Sequence, residues 1–287
     1  MQTDHENWAG TIRERLLSLR GPVVVHWLLL INILVFLLGF AMQVETSRGY
    51  LDVVQLYGAY RAYMCFQEGE VWRLVSYQFL HANLGHIAFN MIALWFFGPP
   101  VEERFGHLRF LLYYLACGVA AALFSSLLGY MGFFDPIWPF IPMVGASGSI
   151  YGIMAACAVL FPHARVQLLI PPVNLSVRQF ALVVLGIACA VIIFQWNNAG
   201  GEAGHLGGMF AGFVLTLLIL LKEKLTGSRS HSVPAGHRQA QRRPIPPRRE
   251  KFPSSDEVNA IMEKISRSGL SSLTEKEREV LQRASRK

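Results

Sequence analysis

The chain has 287 residues, of which 53% are hydrophobic and only 16% charged, with a formal net charge of +7. A soluble domain of this length spreads its apolar residues periodically among charges. Here they stand in long, nearly charge-free blocks, several of them reaching the roughly 20 residues a helix needs to cross a bilayer, which excludes a soluble globular protein.

The charge is unevenly placed. From Lys222 onward there are 16 Lys/Arg against 8 Asp/Glu, giving +8, and the rest of the chain sums to −1. Such a tail suits a cytoplasmic segment facing anionic headgroups better than a nucleic-acid arm. Cys65, Cys117, Cys157 and Cys189 form no C-x-x-C pair, and three lie in apolar runs. They are read as small membrane hydrophobes, not as metal ligands or a disulfide framework. The polar stretch Met1–Arg20 has no apolar core or cleavage site of a secretory signal, so residues 1–21 are expected to be a cytoplasmic N-terminal segment.

In chain order, the first span is expected from Pro22 to Met42. The connection Gln43–Leu80 carries Tyr57, Tyr60, Tyr63, Phe66 and Trp72, which suits a segment lying at the membrane interface. A second span runs from His81 to Gly98-Pro99-Pro100, after which Glu102, Glu103 and Arg104 mark a return to water. The third is Leu108–Gly132, followed by an apolar loop in which Pro136, Pro139 and Pro142 forbid a regular helix. A fourth helix starts near Ser147 and stops before Pro162. About 15 residues give about 22 Å, short of a hydrocarbon core about 30 Å thick, so its N-terminus should lie below the membrane surface, beside protein or a water-filled cavity. The fifth span is Phe180–Trp196, Asn197–Gly201 is a flexible turn, and the sixth span is Ala203–Leu221. Residues 225–253 read as a disordered basic, Pro-rich linker. Residues 254–287 read as a small helical hairpin, with Ser254-x-x-Glu257 and Thr274-x-x-Glu277 as capping boxes and Gly269 as the break.

Lys and Arg set the orientation. Arg13, Arg15, Arg20, Arg104, Arg109, Arg165, Arg178, Lys222 and Lys224 fall on one side of a six-span arrangement with both termini cytoplasmic. Arg48, Arg61 and Arg73 in the first connection are exceptions.

Three motifs carry polar chemistry into these spans. Gly145-Ala146-Ser147-Gly148 puts a serine at a helix N-terminus, where free N–H groups can stabilise an oxyanion; ordinary N-capping is the alternative. His205 opens the sixth span above Gly208 and Gly212, which share its face. Packed on Gly148 and Gly152, that seam would bring Ser147 and His205 together; a histidine bonded to a backbone carbonyl is the alternative. His81, His86 and Asn90 start the second span. They could donate into an oxyanion site, bind a metal with His205, or simply hydrogen-bond between helices; no Cys, Asp or Glu supports a metal shell. Tyr151 lies one turn below Ser147 and could stack on the His205 ring.

Trp72-Arg73, His81-x4-His86-x3-Asn90, Gly145-Ala146-Ser147-Gly148-x-x-Tyr151 and His205-x-x-Gly208-x-x-x-Gly212 follow one another on successive segments. This ordered set resembles the rhomboid family of intramembrane serine proteases, over roughly residues 22–224. The resemblance implies an all-α six-helix bundle with a short fourth helix, no cofactor or metal, and a Ser147–His205 dyad without an acidic third member. It implies that His86 and Asn90, with the Ser147 N–H, bind the oxyanion, that His81 supports the cavity, that Tyr151 stacks on His205 and that Trp72-Arg73 structures the first loop. Glu102 falls at the position of a structural acid, and Gly98-Pro99-Pro100 departs from an expected glycine pair. The implied partners are transmembrane protein substrates and the lipid bilayer of a bacterial plasma membrane, with no nucleic acid. An inactive client-binding relative of the family, and a transporter with broken helices, are the rival readings.

Overall fold

Charge-free sequence gives the long helices of the computed structural model, which describes residues 21–46, 49–167, 172–196, 198–227 and 254–285. The expected N-terminal segment (apart from Gly21), Asn197 and nearly all of the expected linker lie outside these residues. The chain forms two compact units, Met1–Val233 and Pro234–Lys287.

In the first unit, helix α1 (Val23–Ala41) packs a narrow face of Val25, Leu28, Asn32 and Gly39 and leaves Trp27, Leu34, Leu37 and Phe40 bare. An apolar helix with most of its surface uncovered is made for lipid. The first connection has more structure than an interfacial segment. An antiparallel hairpin, β1 (Gln43–Thr46) with β2 (Gly49–Asp52), leads into three short helices, α2 (Val53–Gly58), α3 (Ala62–Phe66) and α4 (Arg73–Ser76). Arg73 holds them. Its buried guanidinium pairs with Glu70 and donates to Leu56 O at 3.1 Å and Ala59 O at 2.7 Å. Arg73 is thereby spent on folding, which accounts for one exception to the charge rule, since a guanidinium stays charged and is buried only with partners.

Helix α5 (Leu84–Phe105) departs from expectation at both ends. It starts at Leu84 because the Asn83 side chain caps it, accepting from His86 N at 2.9 Å. It runs through Pro99 and Pro100 to Phe105. A proline in a helix interior loses a donor and crowds the carbonyl four residues back, a defect that packed membrane helices tolerate. The continuation carries Glu102 into the protein rather than into water. Its carboxylate is 1% exposed and accepts from Val24 N at 2.7 Å and Val25 N at 2.8 Å. These are unsatisfied donors at the start of α1, which has no side-chain cap of its own. His107 Nδ1 lies 2.5 Å from the same carboxylate.

Helix α6 (His107–Tyr130) follows directly. The proline loop then forms only a 3-10 turn, Trp138–Phe140, and the Trp138 indole sits where Gly129 of α6 lacks a side chain. Helix α7 (Ser147–Leu160) has 14 residues, about 21 Å. It is the centre of the unit, with Gly148–Ile150 and Gly152–Cys157 all buried, packed on α5, α6 and the two helices that follow. An unforeseen hairpin, β3 (Arg165–Gln167) with β4 (Asn174–Ser176), links α7 to α8 (Val177–Ile193). Helix α8 begins three residues before Phe180 because Ser176 and Gln179 form a capping box.

Helix α9 (Ala199–Thr226) starts inside the expected flexible turn. Asn198 takes a left-handed conformation (φ 73°) that launches it, and Ser125 Oγ of α6 donates to Gly200 O at 2.9 Å. The two glycines are thus part of a helical turn close to α6, not a break. By length and composition α1, α5, α6 and α9 can each cross a membrane, and α7 and α8 are shorter apolar helices.

The second unit is a helical pair. Ser254 and Glu257 cap α10 (Ser255–Ser268), and Gly269 (φ 77°) ends it. Thr274 and Glu277 exchange hydrogen bonds at the start of α11 (Glu275–Ala284). Lys264 joins the helices through both Glu277 oxygens, at 2.8 and 2.9 Å.

Candidate active site

The glycine seams meet. A Cβ on Gly208 would stand 2.0 Å from Gly148 O, and one on Gly212 would stand 2.4 Å from Gly152 O. No side chain fits between α7 and α9 here. Tyr113 of α6 reinforces the contact, its hydroxyl lying 2.8 Å from both Gly152 O and Gly212 O.

This closeness puts His205 Nε2 2.8 Å from Ser147 Oγ. The Ser147 hydroxyl is not a helix cap: Ala146 holds the N-cap position of α7, and no side chain caps that end. The first N–H groups of α7 are therefore free of side-chain partners beside the hydroxyl. Tyr151 stacks on the His205 ring, with centroids 4.2 Å apart and planes 12° from parallel. The other ring nitrogen, Nδ1, lies 2.9 Å from Glu202 Oε2. This corrects the implied pair without an acid. Sequence reasoning missed Glu202 because it assigned the residue to a turn; its i, i+3 spacing to His205 was the available signal.

The segment entering α7 is pinned by the first connection. Tyr60 and Met143 exchange backbone hydrogen bonds at 3.0 and 2.8 Å, and Gly145 N donates to Tyr77 O at 3.0 Å. Gly145 has φ +130°, a conformation that side chains disfavour, and an added Cβ would lie 2.8 Å from His86 Nε2 and 3.5 Å from Ser147 Oγ. A small hole thus stands between His86 and Ser147. Ala82 N donates to His86 Nδ1 at 3.4 Å, so the neutral ring carries its proton on Nε2, the nitrogen that borders the hole.

Asn90 is placed differently from its expected role. It borders the same cavity, but its Nδ2 donates to His86 O, 3.0 Å away in its own helix. His81 lies beneath this cavity rather than in its wall, its ring packed edge-on against His86 with centroids 5.1 Å apart. His81, His86 and His205 do not converge as a metal site, and no cluster of three or more metal-ligating side chains occurs among the described residues.

Ser147, His205, His86, Asn90 and Gly145 line a cavity of about 910 Å³. Its rim is formed by the proline loop from Phe134 to Val144 and by the start of α9. At the opposite ends of α5 and α9, Arg104 and Glu223 form a two-pronged ion pair, with contacts of 3.1 and 2.5 Å.

Apolar helices long enough to span a bilayer, around a serine–histidine contact inside the bundle, define an integral membrane protein with a polar site among its helices. Comparison with known proteins makes the family explicit. Residues 68–222, just over half of the chain, match the Rhomboid domain. The chain is 30% identical over 214 residues to Rhomboid protease AarA of Providencia stuartii, covering 71% of this chain and 75% of that protein. It is 30% identical over 196 residues to Rhomboid protease GluP of Bacillus subtilis, covering 68% and 35%. It is 28% identical over 186 residues to RHOMBOID-like protein 1 of Arabidopsis thaliana, covering 63% and 42%. The match thus spans less than half the length of these last two relatives. The chain belongs to the rhomboid family. Residues 248–287 match a family of unknown function, DUF6576.

Proposed function

We propose that this protein is an intramembrane serine endopeptidase that hydrolyses peptide bonds in or near transmembrane segments of membrane-protein substrates. The observation that carries this reading is the 2.8 Å approach of His205 Nε2 to Ser147 Oγ at the start of a short helix opening on a cavity. Ser147 Oγ attacks the scissile carbonyl carbon while His205 Nε2 takes its proton. The oxyanion forms in the hole beside Gly145, where His86 Nε2–H and the Ser147 N–H donate to it. Asn90 joins them after rotating away from His86 O. As the C–N bond breaks, Nε2 returns the proton to the leaving amine. Water then loses a proton to Nε2 and attacks the acyl-serine, releasing the acid and restoring Ser147. Tyr151 keeps the imidazole plane fixed, and His81 backs His86.

In this reading residues 22–224 are the protease domain, with six membrane-crossing helices of which α7 is the short fourth. Residues 1–21 are a cytoplasmic segment, 225–253 a linker and 254–287 a cytoplasmic hairpin. Both termini face the cytoplasm of a bacterial plasma membrane, and the cavity opens to the outer side. The run of Lys and Arg near the Arg104–Glu223 end supports this orientation. Substrate helices reach Ser147 sideways through the bilayer and unwind at the rim.

Labelling of the purified protein by a fluorophosphonate tests the reading. Wild type is expected to label, and Ser147→Ala and His205→Ala are expected not to. A folded wild type that stays unlabelled would point instead to an inactive, client-binding member.

A further inference from the structure

We infer that Glu202 is a positioning acid for His205, so that the site works as a serine–histidine–glutamate triad; this rests on the protease reading above. Helix α9 begins at Ala199, and Glu202 therefore stands on its first turn, one turn before His205 and on the same face. Glu202 Oε2 lies 2.9 Å from His205 Nδ1, and the two side chains are 18% and 17% exposed. The contact is shielded enough to matter and is not a loose surface pair.

The imidazole is then held on three sides: Ser147 at Nε2, Glu202 at Nδ1 and the Tyr151 ring on one face. A carboxylate accepting from Nδ1–H leaves Nε2 unprotonated, the tautomer a base must present to a hydroxyl. It also stabilises the imidazolium formed when the serine proton arrives, while itself remaining ionised. No other acceptor approaches Nδ1 among the described residues. The remaining titratable side chains of the cavity are His86 from α5 and Asp135 from the proline loop, and neither has a hydrogen bond to His205. A carboxylate in the first turn also favours the helix dipole. That role alone would change stability and leave the chemistry of His205 unaltered.

The rate of fluorophosphonate labelling of the full-length protein, measured against pH, separates these roles. Glu202→Gln keeps the shape and an acceptor oxygen but removes the charge. It is expected to label about tenfold more slowly at neutral pH, the loss of one charge-assisted hydrogen bond. The acid limb of its pH–rate profile is expected to move about half a pH unit lower, because the protonated imidazole has lost its counter-charge. Glu202→Asp is expected to recover part of the rate and the wild-type limb. Wild-type rate and an unmoved limb in Glu202→Gln overturn the inference and leave the protease reading standing. If Glu202→Gln loses thermal stability along with labelling, Glu202→Asp decides: recovery of both rate and limb supports the acid, and recovery of stability alone overturns it. An unlabelled, folded wild type overturns the protease reading itself.

Discussion

The backbone of Gly148 occupies the space that a side chain on Gly208 would need. A Cβ at 208 would stand 2.0 Å from Gly148 O, against backbone that cannot rotate out of the way. Gly208→Ala should therefore push α9 off α7 and lengthen the contact between His205 and Ser147. Overpacking of this kind costs about 1–3 kcal/mol, so the protein should still fold. Labelling of Ser147 by a fluorophosphonate should fall much further than the thermal midpoint implies. Undiminished labelling would mean the helices separate without disturbing the pair.

Gly145→Ala tests the hole beside the nucleophile. Its Cβ would stand 2.8 Å from His86 Nε2, at a φ of +130°. The methyl group would fill the place assigned to the oxyanion. Loss of an oxyanion donor typically costs about 100- to 1,000-fold in kcat. A drop of that order is expected in single-turnover cleavage of a transmembrane reporter, with reporter binding little changed. Normal turnover would move the oxyanion site elsewhere.

Glu102→Ala should be among the most destabilising single changes in the first unit. It strips the acceptor from the N–H groups of Val24 and Val25 and removes a carboxylate that is 1% exposed. Breaking a buried charged contact costs about 3–5 kcal/mol. The effect should appear as a lowered thermal midpoint in detergent. At low temperature Ser147 should still label, because Glu102 touches none of the cavity residues.

The C-terminal helical pair should be acid-sensitive. The Lys264 ammonium, and then the Thr274 N–H and hydroxyl, hold the exposed Glu277 carboxyl down at about 2 from an ordinary 4.5. A carboxyl that is more acidic in the folded state contributes stability that is complete above its unfolded value and is lost as pH falls toward the folded one. Amide protection over residues 275–284 of the full chain should therefore decline between about pH 4.5 and pH 2, after correction for intrinsic exchange. Glu277→Gln should flatten that dependence. An identical decline in the variant would assign it to other groups.

Where the sequence carried a strong local signal, the structure was legible in it. Charge-free blocks located α1 and α6, and Pro162 and the glycines around Ser147 located the ends of α7. The motif residues Ser147, His205 and Tyr151 could be grouped because helical spacing puts them on facing seams. What escaped was set by tertiary context. Pro99 and Pro100 look like a stop, and only the packing of α1 against α5 explains why the helix continues. Gly200-Gly201 looks like a hinge, and only Ser125 on α6 shows that those positions must be narrow and helical. Each misreading hid an acid: the first sent Glu102 out to water, and the second left Glu202 in a loop. The two β-hairpins have strands of three or four residues, too short for a periodic pattern to declare them.

The Glu102 cap has a bearing on how the chain is made. The donors it satisfies belong to residues 77 and 78 positions earlier. A chain synthesised from its N-terminus presents α1 to the membrane well before residue 102 exists. During that interval the start of α1 has no carboxylate to receive its N–H groups. The first helix is thus a provisional lodger in the bilayer, and its final depth and tilt are settled only when the far end of α5 emerges and locks onto it. Assembly of this domain is retroactive, with a later segment completing an earlier one.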